Sequence, residues 1–259
     1  MTVLTRGPVS DDPWLHRVAV GDPDAVRLVV LPHAGGSASY FAALARELAT
    51  DFDVVIVQYP GRQERRREPA LRTIAALADG VFGACGAPDR PTVLFGHSMG
   101  AVVAFETAVR MEQAGATGLL GVIASGRRGP AVVGHEDVHR RGDAGLIAEL
   151  RALSGTAAAV FDDEDIIAMI LPALRADYRA VETYEMSPGT RLRTPVSILV
   201  GDADPRVSVA EAGAWSDVTD GGSRLRTFPG GHFYLDQHRA GVATAIRESV
   251  EGFRARVRA

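Results

Sequence analysis

The chain has 259 residues, 46% apolar and 23% charged, enough to bury a full core in one domain with an inserted subdomain. Its formal charge of −4, in a chain with arginine but no lysine, gives no general attraction to nucleic acid or anionic membranes, so neither is expected as a partner. The single cysteine, Cys85, excludes an intrachain disulfide, and no run of 18 apolar residues exists to cross a bilayer.

Residues 1–13 lack the basic-then-apolar order of a signal peptide. With the lone cysteine, this leads us to expect a cytoplasmic protein. His16–Val20 is expected to supply an outer antiparallel strand. Val26–Leu31 reads VRLVVL, continuously apolar as in a strand covered on both faces. A helical pattern over Tyr40–Ala49 follows, then a strand at Val54–Tyr59 closed by Pro60-Gly61. Leu71–Cys85 reads as a helix, with Cys85 as small core filler. Thr92–Phe95 is a strand, Met99–Ala114 a helix, and Leu119–Ala124 a strand ending at Ser125-Gly126.

The rhythm then breaks. Between Arg128 and Arg193 there is no strand pattern, only helix patterns at Asp143–Leu153, Asp162–Leu171 and Pro172–Glu185. The acids at 162–165 suit a helix start, where the macrodipole favours negative charge. Strands resume at Pro195–Val200 and Arg224–Phe228, and His238–Val257 is a final helix. Strands alternating with helices predict an α/β fold: a mostly parallel central sheet with helices on both faces. A connection as long as 128–193 is usually functional or a subdomain. We therefore expect a helical lid at 128–193, inserted between core segments 1–127 and 194–259. Ordinary crossover helices are the alternative.

Gly96-His97-Ser98-Met99-Gly100 has the form G-x-S-x-G, between an apolar strand and a helical pattern. That context marks a nucleophile elbow of the α/β-hydrolase fold. The sharp turn lifts the Ser98 hydroxyl clear of the sheet, and only small residues fit at the flanking positions. The helix beginning at Met99 aims free N–H groups and its positive end at the same spot. A serine hydroxyl is a weak nucleophile and needs a base and an orienting acid. In this fold they follow the serine in the order acid, then histidine. His16 and His33 precede Ser98, and His97 lies inside the elbow, pointing away from Ser98. His135 and His139 fall in the expected lid, and His238 in the last helix. His232, in the loop Pro229-Gly230-Gly231-His232-Phe233, is therefore the expected base. The loop Gly201-Asp202-Ala203-Asp204-Pro205 offers two acids. Asp204, further past the strand end, reaches an adjacent loop better; Asp202 could brace its own turn. The oxyanion hole needs two main-chain amides. Met99 should supply one, and Ala34, in the Gly-rich loop Pro32-His33-Ala34-Gly35-Gly36, the other. The competing reading of that loop, a phosphate cradle, lacks both the Lys-Ser/Thr ending and the G-x-G-x-x-G pattern.

Several segments together resemble the type II thioesterases that accompany polyketide synthases and nonribosomal peptide synthetases. They are Pro32–Gly36, Tyr59-Pro60-Gly61-Arg62, the Gly96–Gly100 elbow, the Gly201–Asp204 loop and Gly231-His232-Phe233. The first two are the most specific. The resemblance implies an editing thioesterase that removes stalled acyl groups from the phosphopantetheine arm of acyl or peptidyl carrier proteins, without metal or organic cofactor. It matches Ser98, Asp204 and His232 to the family triad, Ala34 and Met99 to the oxyanion donors, and Arg128–Arg193 to a mobile helical lid. Carrier proteins are usually acidic, so the run Arg62–Glu68 offers a steering surface; a solvated loop paired with local acids is the favoured reading. The alternatives are a carboxylesterase or lipase acting on free esters, a chain-releasing thioesterase, and a hydrolase fold kept as a ligand receptor.

Overall fold

The computed structural model describes residues 12–17, 22, 25–134, 136–154 and 164–257. In chain order the elements are β1 (Leu15–His16), β2 (Val26–Leu31), α1 (Ala42–Leu48), β3 (Phe52–Val57), α2 (Ile74–Cys85), β4 (Thr92–His97), α3 (Met99–Gln113) and β5 (Leu119–Ser125). There follow α4 (Asp143–Ser154), α5 (Glu164–Glu182), β6 (Val196–Gly201), α6 (Val209–Gly213), β7 (Ser223–Phe228), α7 (Tyr234–Gln237) and α8 (Arg239–Val257). The seven strands form one sheet in the order β1-β3-β2-β4-β5-β6-β7. Only β1 runs antiparallel to its neighbour.

The continuous apolar runs have a simple cause: both faces of the sheet are covered. Along β2, Val29 and Leu31 join the core beneath α2 and α3, with Val102 and Phe105. Leu28 and Val30 point the other way, into the core with Phe41 of the α1 side and Ile246 of α8. The β7 edge departs from this pattern. Ser223 and Arg224 are exposed there, as an unpaired margin requires. Strand order reverses between β2 and β4, which leaves a crevice at their carboxyl ends. Open α/β sheets bind ligands at such a switch point.

Two sequence expectations are corrected. The helices expected at Asp162–Leu171 and Pro172–Glu185 are one helix, α5, with Pro172 inside it. A proline in a helix forfeits one hydrogen bond and usually breaks the helix. Here Ala173, Leu174, Ala176, Asp177, Ala180 and Val181 bury a face along the turns that follow, and that packing outweighs the break. Residues 162 and 163 of the acidic run lie outside the described residues. The edge strand is Leu15–His16, shorter than expected; 18–20 also lie outside the described residues. Among the described residues no helix is long and apolar enough to cross a membrane.

Candidate active site

Ser98 occupies a backbone conformation that a side chain rarely adopts, φ 54° and ψ −117°. Such strain persists only where its surroundings enforce it. A Cβ on Gly96 would lie 2.1 Å from the Gly100 carbonyl oxygen, and one on Gly100 would lie 2.0 Å from that of Leu31. The two glycines thus let α3 start directly against β2 and β4. The Ser98 amide donates to the Ser125 carbonyl at 2.8 Å, which fixes the turn to β5.

The loop after β7 brings His232 to this serine. Nε2 of His232 lies 3.0 Å from Ser98 Oγ, and Nδ1 lies 2.8 Å from Asp204 Oδ2. The Asp204 carboxylate is fully buried and also accepts the Arg206 amide at 2.8 Å, which holds it in place. Asp202 faces elsewhere and accepts the Gly230 amide at 2.9 Å. A Cβ on Gly201 would lie 2.4 Å from the Gly231 carbonyl oxygen, so the β6 and β7 loops lie directly against one another. Three loops at the carboxyl ends of β4, β6 and β7 therefore bring together the three residues read from sequence.

The other described histidines have different partners. His16 pairs with Glu64, and His139 with Glu182. His238 sits between α7 and α8. His135 lies outside the described residues. His97 is buried, with Nδ1 2.9 Å from Ser125 Oγ, which in turn lies 2.6 Å from the Tyr234 hydroxyl. Its ring stands beside that of His232, centroids 5.2 Å apart. Burial, with the charges of His232 and His33, holds the His97 pKa well below its ordinary value. His33 is pushed down to about 3, first by burial and then by His232 and Arg62. Both are neutral at physiological pH, so His232 has no cationic imidazole beside it.

Ala34 and Ser98 line the same pocket. The Ala34 amide has no hydrogen-bond partner among the described residues. Its loop is a tight turn: the Gly36 amide donates to the His33 carbonyl at 2.9 Å, and Gly35 takes φ +73°. Met99 is buried as the first residue of α3, a 15-residue helix whose positive end faces the elbow. The pocket encloses about 570 Å³ including its open mouth. Leu150 and Leu153 of α4 with Tyr178 and Val181 of α5 form apolar walls. Sequence reading missed these wall residues; their helical spacing was the signal available. Arg127, Glu136, Glu182 and Arg206 add charged groups to the lining. Burial and the neighbouring Arg128 lower the Arg127 pKa to about 10. No group of three His, Cys, Asp or Glu is arranged to hold a metal among the described residues.

Of the other residues noted in sequence, Cys85 is partly buried against the core. The Arg62–Glu68 run proves divided. Arg62 and Arg65 are buried, and Arg65 pairs with Glu68 and donates to the Gln58 carbonyl. Arg66 and Arg67 are exposed.

A mostly parallel seven-stranded sheet with a strand-to-helix serine elbow at its switch point is the α/β-hydrolase fold. Within that fold, the chain belongs to the thioesterase family: the thioesterase domain matches residues 26–250. It is 51% identical to a probable cadicidin biosynthesis thioesterase of Streptomyces griseus, over 93% of this chain and 67% of that protein. Against the thioesterase PikA5 of Streptomyces venezuelae the identity is 43%, over 90% of this chain and 84% of the relative. The solved type II thioesterase BorB, from the borrelidin biosynthetic cluster, superposes with a TM-score of 0.87 at 47% identity, covering 94% of this chain and all of BorB.

Proposed function

We propose that this thioesterase hydrolyses acyl groups carried on the phosphopantetheine arm of acyl or peptidyl carrier proteins, and so clears units that stall a polyketide or nonribosomal peptide assembly line. The observation that carries this reading is the continuous Ser98–His232–Asp204 hydrogen-bond path beside an uncommitted Ala34 amide. His232 Nε2 takes the Ser98 proton as Oγ bonds to the thioester carbonyl carbon. Asp204 holds the ring and stabilises the imidazolium that forms. The oxyanion accepts from the Ala34 and Met99 amides, and one such donor is worth roughly 10²–10³ in rate. Collapse breaks the C–S bond. The pantetheine sulfur leaves as thiol, taking the proton held by His232 and returning the imidazole to its neutral form. Water then gives up a proton to His232, attacks the acyl-Ser98 ester and releases the acid, returning the proton to Oγ.

The helices between β5 and β6 act in this reading as a lid. Their apolar side chains wall the pocket and suit an aliphatic acyl chain. The macromolecular half of the substrate is supported by charge. A groove on the outer flank of α5 is lined by Arg72, His139, Arg140, Arg175 and Arg179. Arg72, Arg140 and Arg179 are exposed and have no ion-pair partner among the described residues. An acidic carrier protein complements such a groove. The single thiol and the lack of a membrane-spanning helix among the described residues fit work in the cytoplasm.

The test is turnover of three substrates with one acyl group: carrier-bound thioester, N-acetylcysteamine thioester and the matching oxygen ester. The expected order of kcat/KM is carrier first and oxygen ester last, with Ser98→Ala abolishing all turnover while the fold is kept. Preference for the oxygen ester would instead establish a carboxylesterase.

A further inference from the structure

The loop that carries Ala34 is held by side chains outside the triad, and one of them comes from α5. The Gly35 amide donates to Asp177 Oδ2 at 2.7 Å. The other carboxylate oxygen, Oδ1, accepts from Arg62 Nη2 at 2.8 Å, and Arg62 Nη1 donates to the Gly36 carbonyl at 2.9 Å. Upstream of Ala34, the Tyr59 hydroxyl donates to the Pro32 carbonyl at 3.3 Å. The turn is thus fixed on both sides of the amide assigned to the oxyanion hole. α5 also lies directly on it: a Cβ on Gly35 would lie 2.8 Å from Leu174 Cδ1, one helical turn from Asp177.

We infer that Asp177 is a positioning residue for the oxyanion hole, so that the hole is in register only while α5 is seated on the Pro32–Gly36 loop. This rests on the serine mechanism proposed above and adds a residue to it. Asp177 is fully buried and Arg62 nearly so. A buried ion pair adds little net stability, because desolvation offsets the attraction between its charges. Stability alone is therefore a weak account of why a carboxylate sits there. Orientation is a better one: a tight turn with a positive-φ glycine can rotate its central peptide, and an anchored Gly35 N–H prevents that rotation. Rotation next to Ala34 would displace an amide that must meet the developing oxyanion within a few tenths of an ångström. Arg62 acts at one remove, as a clamp on Asp177 and on Gly36. Lifting α5 would release the Gly35 amide, so opening of the helical insertion and loss of oxyanion stabilisation are one event.

The experiment measures kcat and KM on an acyl-N-acetylcysteamine thioester for Asp177→Ala, Asp177→Asn and Arg62→Lys, with folded protein quantified by thermal melting. Affinity for an alkyl trifluoromethyl ketone, which forms a tetrahedral adduct on serine, is measured in parallel. The expected result for Asp177→Ala is a 10- to 100-fold fall in kcat, KM within threefold, and ketone affinity falling with kcat/KM. Asp177→Asn keeps an acceptor for the Gly35 amide and should fall less. A merely structural role would lower the melting temperature and leave kcat of the folded enzyme unchanged. A kcat within twofold of the parent for folded Asp177→Ala overturns the inference. If that variant does not fold, the same twofold threshold applies to Asp177→Asn. Ser98→Ala, run alongside, separates the levels. Retained hydrolysis there would overturn the serine mechanism and this inference with it. An inactive Ser98→Ala with an unaffected Asp177 variant would overturn the positioning role alone.

Discussion

Asp202 and Asp204 share one loop and one chemistry, but two residues of chain send their carboxylates to different partners. Asp204 reaches Nδ1 of His232, whereas Asp202 stays with the Gly230 amide and braces the β7 loop. Asp204→Asn would offer His232 an amide in place of a charge and favour the wrong tautomer. A fall in kcat of about 10³–10⁴ is expected. Asp202→Asn keeps a carbonyl for Gly230 and should stay within about tenfold of the parent, since one neutral hydrogen bond is worth roughly 0.5–1.5 kcal/mol. Steady-state turnover of a single thioester substrate ranks the two, and the reverse order would assign the acid to Asp202. That Asp204 rather than Asp202 lies against His232 was legible in sequence because it depends on reach from a strand end. Asp177 was not legible. It lies in a charged helical stretch and its contact, Gly35, is 142 positions away, so no local pattern marks it. The buried His97–Ser125–Tyr234 path was hidden for the same reason: it joins residues from three separate parts of the chain.

At the scale of elements, sequence reading located the five inner strands, β2 to β6, to within two residues because burial on both faces leaves an unbroken apolar run. It divided α5 in two because proline is read as a stop, while the packing that overrides the stop is tertiary. The Pro32–Gly36 and Tyr59–Arg62 segments, read as separate features, are one device in space: Tyr59 and Arg62 hold Pro32 and Gly36 on either side of Ala34. The elbow shows how closely two elements can be set. Gly100→Ala would drive a methyl to 2.0 Å from the Leu31 carbonyl oxygen, backbone that cannot move without shifting β2. A loss of about 1–3 kcal/mol or more is expected, from overpacking of α3 against the sheet. Gly83, near the end of α2, has open space where a methyl would sit, with nothing within 4 Å. Gly83→Ala should therefore be neutral or stabilise by up to about 1 kcal/mol through helix propensity. Urea denaturation of the two variants beside the parent checks the contrast; a Gly100→Ala midpoint equal to the parent would mean that α3 is not held against β2 as described.

Across the whole molecule, the switch in strand order gathers Ser98, His232 and Asp204 at one end of the sheet, and the charge on the surface is unevenly spread. The chain carries −4 overall, so under the function proposed above an acidic carrier protein would be repelled by the body of the enzyme. Arg72, Arg140 and Arg179, together with Arg175, reverse that sign along the flank of α5. Such a partner approaching at random would be turned toward one face, and attraction of this kind acts on encounter more than on the bound state. Arg175 pairs with Asp143 and is partly neutralised, which leaves Arg72, Arg140 and Arg179, of which Arg72 and Arg179 are the pair to reverse first. Neither touches Ser98, His232 or Asp204. The double variant Arg72→Glu, Arg179→Glu should lower kcat/KM for an acyl-carrier protein by about tenfold or more, through KM, and flatten its dependence on salt. The same variant should hydrolyse the N-acetylcysteamine thioester within twofold of the parent, because that substrate has no charge to steer. Equal losses on both substrates would place the damage in the fold. No loss on either would move carrier docking away from α5, with the exposed pair Arg66 and Arg67 as the next surface to reverse.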